Sequence, residues 1–92
     1  MRRKESYKAT ILRMLRENKT VKNSDLMLAT SWDFRKYVSE LRTQHGLTIE
    51  CLPHEDWETE TTYHYRLAVD ASDVKIVQNK EGQLIVTGRL PR

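Results

Sequence analysis

Five side chains between Asp33 and Gly46 have the chemistry needed to read a polyanion: Arg35, Lys36, Ser39, Arg42 and Thr43. An arginine fork bonds two acceptors on a guanine edge, a lysine neutralises phosphate, and a serine or threonine hydroxyl donates or accepts. If the segment is helical, these residues lie opposite Phe34, Tyr37, Val38 and Leu41, whose spacings of three, four and seven make a buried stripe. Solubility alone also favours charge on an exposed helix face. By itself, then, this face leaves both contact with nucleic acid and plain solvation open.

A second group has the opposite sign. The stretch PHEDWETE, from Pro53 to Glu60, places Glu55, Asp56 and Glu58 around Trp57. A tryptophan among carboxylates at a loop tip suits an anchor for a basic protein surface. The alternative is that Trp57 folds back on Pro53 and the loop serves solubility. Cys51 with His45, His54 and His64 raises zinc, whose usual ligands are Cys and His. Strand alternation points Cys51 inward and His64 outward, so no metal site is expected. Nor is catalysis: there is no glycine-rich phosphate loop, the single cysteine is expected to be buried, and the clustered carboxylates sit on a loop without a pocket. No cofactor is implied.

The 92 residues suffice for one domain with a modest core, since a chain of this length buries about 60 to 70% of its unfolded surface. No apolar run approaches the roughly 20 residues of a bilayer span. The charged start from Met1 to Lys8 is unlike a signal peptide, and one cysteine closes no intramolecular disulfide. A cytoplasmic protein without membrane contact is expected. Charge is unevenly spread. From Met1 to His45, eleven Lys or Arg against five Asp or Glu give +6, whereas from Gly46 to Val69 Arg66 against five acids gives −4. A polyanion is drawn to the first half and repelled by the loop that follows.

The elements that must position these residues follow from periodicity and caps. Ser6 is the expected N-cap of a first helix with Tyr7, Ile11, Leu12 and Leu15 inward, fraying near Asn18. Thr20 to Lys22 reads as a connector or minimal strand. Asn23 or Ser24 caps a short second helix that ends near Thr30, with Asp25 in its first turn and Leu26, Met27 and Leu28 supplying buried surface. Asp33 is the expected N-cap of a third helix reaching about His45, where Gly46 stops it in a left-handed conformation. Trp32, in the turn before it, either plugs the core or projects beside Arg35 toward a sugar or base. Packing is the favoured expectation, because large aromatics are mostly buried.

Two strands follow. Leu47, Ile49 and Cys51, and then Tyr63, Tyr65, Leu67 and Val69, alternate with polar neighbours and are expected to face the helices, leaving Glu50, His64 and Arg66 outside. Beyond Val69, the segments Val74 to Gln78 and Gln83 to Thr87 flank NKEG, a hairpin turn in which Gly82 can take positive φ. That pairing puts Ile76 opposite Val86 and Gln78 opposite Leu84. One face is then apolar through Val74, Ile76, Leu84 and Val86, while Val77 and Ile85 meet on the other. Such a hairpin needs a cover, from its own domain or from a second subunit, and a homodimer would pair two reading helices.

The succession LMLATSW, RKYVSELRTQHG, LTIE resembles the turn, reading helix and first wing strand of the small winged helix-turn-helix domains of prokaryotic and phage regulators, over roughly Ala9 to Val69. The resemblance implies an α+β domain over residues 1–69, with three helices, a β-hairpin wing and a short basic arm. Residues 70–92 remain as an additional C-terminal hairpin for packing or dimerisation. It further implies sequence-specific binding of double-stranded DNA by a small transcriptional regulator carried by a phage or mobile element. The helix from Asp33 would be the recognition helix, and the helix from Ser24 would present its N-terminal amides to phosphate. Arg2, Arg3 and Lys4 would add a flexible electrostatic arm. Many relatives have Gly where this chain has Ser31, so the turn is expected to differ in detail, although a single left-handed residue other than glycine is affordable there. The acidic wing departs from a phosphate-binding one. It either stands away from the duplex or, alternatively, belongs to a protein-interaction module acting through Trp57 and its carboxylates or through the C-terminal hairpin.

Overall fold

The computed structural model describes residues 4–53 and 63–89. Among them the chain order is β1 (Lys4–Glu5), α1 (Tyr7–Glu17), β2 (Val21–Lys22), α2 (Asn23–Ala29), α3 (Phe34–Thr43), β3 (Thr48–Pro53), β4 (Tyr63–Val69), β5 (Lys75–Gln78) and β6 (Gln83–Thr87), an α+β arrangement. No helix among the described residues is long and apolar enough to cross a membrane.

Helix α1 starts where its cap dictates. Ser6 is extended and its Oγ accepts the Ala9 N–H at 3.1 Å, satisfying an amide that a helix start leaves over. The helix ends at Asn18, whose backbone and side-chain N–H groups both donate to the Met14 carbonyl. Its buried face is Ala9, Thr10, Ile11, Leu12 and Leu15. Tyr7, expected in that stripe, is 43% exposed and meets Tyr37 edge to face, with ring centroids 5.6 Å apart. As the first residue of the helix it sits at the rim of the core.

Two three-stranded sheets share α1 as a packing partner, through β4 in one and β6 in the other. The first has the order β2-β4-β3 and is antiparallel, with Ile49 opposite Leu67, Glu50 opposite Arg66 and Cys51 opposite Tyr65. This is the expected parity, and Leu47, Ile49 and Tyr65 are buried. Two residues depart from it. Val69 is exposed at the end of the ladder opposite Thr48, and Cys51 is exposed beside the buried Tyr65, where α3 leaves an open cleft.

The second sheet has the order β1-β6-β5, with β5 and β6 antiparallel and β1 parallel to β6. Its hairpin has the register the turn sets, Ile76 opposite Val86 and Gln78 opposite Leu84, with Gly82 at φ 85°. The cover on its inner face is the chain's own. Val74 and Val86 belong to the same core as Leu12 and Leu41, and Ile76 and Leu84 pack against it. Lys4 is not part of a free arm, since its backbone pairs with Gln83 in β1. Arg2 and Arg3 lie outside the described residues.

Polar links hold the hairpin in place. Arg16, in the last turn of α1, grips Asp70 with two 2.9 Å bonds and donates to the Val74 carbonyl at 2.7 Å. That guanidinium holds the Asp70 carboxyl below the usual carboxylate range. At the other end His45 is 1% exposed, and its Nδ1 lies 2.9 Å from the Gly88 carbonyl. A carbonyl only accepts, so Nδ1 carries the proton. Nε2 has no hydrogen-bond partner among the described residues, and burial lowers the imidazole pKa.

Helix α2 differs most from expectation. Lys22 occupies the N-cap position and no side chain caps the helix, so neither Asn23 nor Ser24 does so. Strand β2 runs directly into α2, and the Asn23 carboxamide oxygen accepts the Tyr63 N–H at 3.3 Å instead. Leu26 is buried, but Met27 is partly exposed and Leu28 is 82% exposed. Successive helical residues turn by about 100°, so a short helix packed on one side shelters only one of three consecutive positions.

Leu12→Ala, at a site with no exposure, is expected to cost about 2–5 kcal/mol in urea unfolding, whereas Leu28→Ala should stay within about 0.5 kcal/mol of the native chain. Equal losses would contradict this core. His45 makes a pH prediction. The unfolded chain takes up the imidazole proton near the ordinary value of about 6.5, and the folded chain only at lower pH. This contribution to stability is therefore full above that value and is lost as pH falls below it. The urea midpoint should fall as pH drops below about 6.5, and His45→Gln should flatten that slope; an identical slope in the variant would remove His45 as its source.

Candidate nucleic-acid interface

The turn into α3 is built on serine. Ser31 Oγ accepts the Asp33 N–H at 3.2 Å and the Ser31 carbonyl accepts the Phe34 N–H at 3.2 Å. Ser31 does not need the left-handed region: among the described residues the non-glycine residue with positive φ is Arg89. Asp33 holds the N-cap position, but its side chain makes no cap bond: at φ −90° and ψ 24° its backbone is not in the extended conformation that a capping side chain usually needs. The helix ends at Thr43, two residues short of expectation. Gln44 N–H bonds to the Glu40 carbonyl, and Gly46 at φ 69° lets Leu47 N–H return to the Leu41 carbonyl.

Phe34, Val38 and Leu41 form the buried side of α3, with Tyr37 partly covered. Phe34 meets the Tyr65 ring edge to face, with centroids 5.8 Å apart. It fills the aromatic slot that the sequence pattern offers to Trp32. Trp32 is instead 85% exposed.

The outer side carries Arg35, Lys36, Ser39, Arg42 and Thr43, all of them exposed to solvent. Aromatic residues of the inner stripe steady the two cations nearest the helix start: Arg35 Cζ lies 5.5 Å from the Phe34 ring centroid and Lys36 Nζ 5.5 Å from that of Tyr37. Arg42 Nε donates to the Ile49 carbonyl at 2.9 Å, which ties the side chain to β3. Thr43 Oγ1 donates to the Ser39 carbonyl at 2.9 Å, so its hydroxyl proton is committed within the helix. Ser24, at the start of α2, makes no cap bond there.

Between α3 and the strands lies a cleft of about 220 Å³ lined by Arg35, Val38, Arg42, Cys51 and Tyr65. Burial pushes the Tyr65 phenol up, while Arg35 and Cys51 act on the same hydroxyl with opposite signs. The phenol therefore keeps its proton at neutral pH. Two guanidinium groups and a phenolic O–H around one opening are donors suited to an anionic oxygen. Sequence pattern does not single out Tyr65 and Cys51 for this place, although their pairing across β3 and β4 is the signal that brings them together.

Electrostatics separate these arginines from the others. Lys8 pairs with Glu40 at 3.3 Å, Arg13 with Glu5 at 2.9 Å, Arg16 with Asp70 at 2.9 Å and Arg89 with Asp73 at 3.3 Å, and Arg66 pairs with Glu50. Arg35, Lys36 and Arg42 have no ion pair among the described residues. The Arg66–Glu50 pair also joins β3 to β4 on their outer side. Glu55, Asp56, Trp57 and Glu58 of the acidic loop lie outside the described residues, as does His54. Among the described residues no three His, Cys, Asp or Glu side chains come together as a metal site.

Compared with protein-family models, curated proteins and solved structures, the chain gives no match.

Proposed function

We propose that this chain is a sequence-specific double-stranded DNA-binding protein of winged helix-turn-helix type, acting as a small transcriptional regulator. α3 is the recognition helix and β3 with β4 the stem of the wing. The observation that carries this reading is the set of three cations on the outer side of one helix, Arg35, Lys36 and Arg42, that have no carboxylate partner among the described residues, while the described arginines elsewhere are all paired. A phosphate backbone supplies the missing counter-charge and releases condensed cations as it does so. In this reading Arg35 and Lys36 enter the groove, Ser39 supplies a hydroxyl to a base edge or phosphate, and Arg42, braced on Ile49, reaches the backbone.

Fluorescence anisotropy of a mixed-sequence duplex over a range of salt tests it. Affinity should fall steeply as salt rises, and the double variant Arg35→Ala, Lys36→Ala should flatten the log–log slope by about 0.9 for each phosphate the variant no longer neutralises. Absence of duplex binding at low salt, with the chain folded, would refute the proposal.

A further inference from the structure

The exposed apolar surface around the α2–α3 turn is out of keeping with a bare helical corner. Within six residues, Leu28 is 82% exposed, Trp32 85% and Met27 37%, and none of them joins the core. Isolated exposed apolar side chains are ordinary, but three so close in the chain mark a contact surface. Neither folding nor the turn uses Trp32: Phe34 fills the aromatic slot against Tyr65, and Ser31 makes the turn's hydrogen bonds.

The charges around it point to the partner. Arg35 and Lys36 follow Trp32 in the first turn of α3, Lys22 precedes α2 and Arg42 stands in the last turn of α3, and none of the four is in an ion pair among the described residues. Asp25 and Asp33 offset them only in part, and Glu40 is taken by Lys8. The matching ligand combines negative charge with flat apolar faces at short range, and nucleic acid does so with phosphates beside bases. Trp32 precedes the N-cap of α3 by one residue, at the same end as Arg35 and Lys36. That end of a recognition helix reaches the base edges.

We propose that Trp32, backed by Leu28, is an apolar wedge that packs on a base step while the outer face of α3 holds the flanking phosphates, so that the bound duplex is locally unstacked and bent. This rests on the DNA-binding reading above. Inserted apolar side chains trade base stacking for a bend that brings more backbone onto the protein. The cations of α3 supply that return here. The wedge sets which DNA is preferred: sequences with an easily unstacked pyrimidine–purine step beside the α3 footprint.

The test uses the full chain carrying Trp57→Phe, so that Trp32 is the one indole, with a duplex labelled at both ends for energy transfer. Duplex should quench the indole emission and shorten the end-to-end distance. Trp32→Ala should remove the bend and weaken binding about tenfold, with the salt slope unchanged because the phosphate contacts remain; Trp32→Phe should restore part of both. Trp32→Ala that binds and bends like the parent overturns the wedge and leaves the α3 reading standing. So does indole emission that saturating duplex does not move. If Trp32→Ala instead converts a dimer to a monomer in sedimentation with DNA affinity untouched, the patch joins two copies and the wedge is overturned. A parent chain that binds no duplex at low salt overturns both.

Discussion

The fold depends on the burial of α1. Ala9, Ile11 and Leu12 have no exposed surface, and Leu15 has almost none. Each large apolar side chain so buried contributes about 1.5–3 kcal/mol. The same helix also joins the sheets along the chain, because the two-residue strand before it enters one and the two-residue strand after it enters the other. Eleven helical residues between those strands span roughly 16 Å. A two-stranded hairpin is marginal without a packing partner; each sheet here is a hairpin extended by a strand of only two residues, and both hairpins pack on the same helix. Arg16 and His45 add directional bonds at the two ends of an assembly whose main stabilisation is apolar.

With α1 at the centre, α3 is left with one side to bury and one to offer. Phe34, Val38 and Leu41 are committed to the core, and the remaining positions carry cations that local contacts orient without neutralising. Arg42 shows the distinction. Its Nε is committed to the Ile49 carbonyl, which fixes the direction of the guanidinium and leaves its charge unpaired. A cation held this way loses less conformational entropy when an anion arrives than a free side chain does.

Much of this architecture is legible in the sequence because its determinants are local. The Ser6 cap, the stripe of α3, the strand parity through Ile49 and Tyr65, and the register of the C-terminal hairpin each follow from residues a few positions apart. What periodicity and caps do not reveal are choices made over long distances. His45 bonds to a carbonyl 43 positions away, and Asn23 reaches the start of β4 rather than its own helix. Met27, Leu28 and Trp32 look like core material for the same reason, since nothing in their spacing reveals that Leu26 and Phe34 already fill the available places. Cys51 is a related case: alternation gives the face of a strand, but not how far along it the helices extend.

The bond between His45 and Gly88 makes the end of β6 a lever on α3. Tension applied beyond Arg89 meets the imidazole–carbonyl link, and behind it the short segment leading back to the C-terminal turn of α3, before it loads the apolar core. A domain or surface joined at that end would pull on α3 directly. One joined ahead of Lys4 would instead draw first on β1 and its ladder with β6. The two ends of the chain are thus mechanically unequal, and attachment at one or the other decides whether the helix carrying Arg35 and Lys36 feels the load.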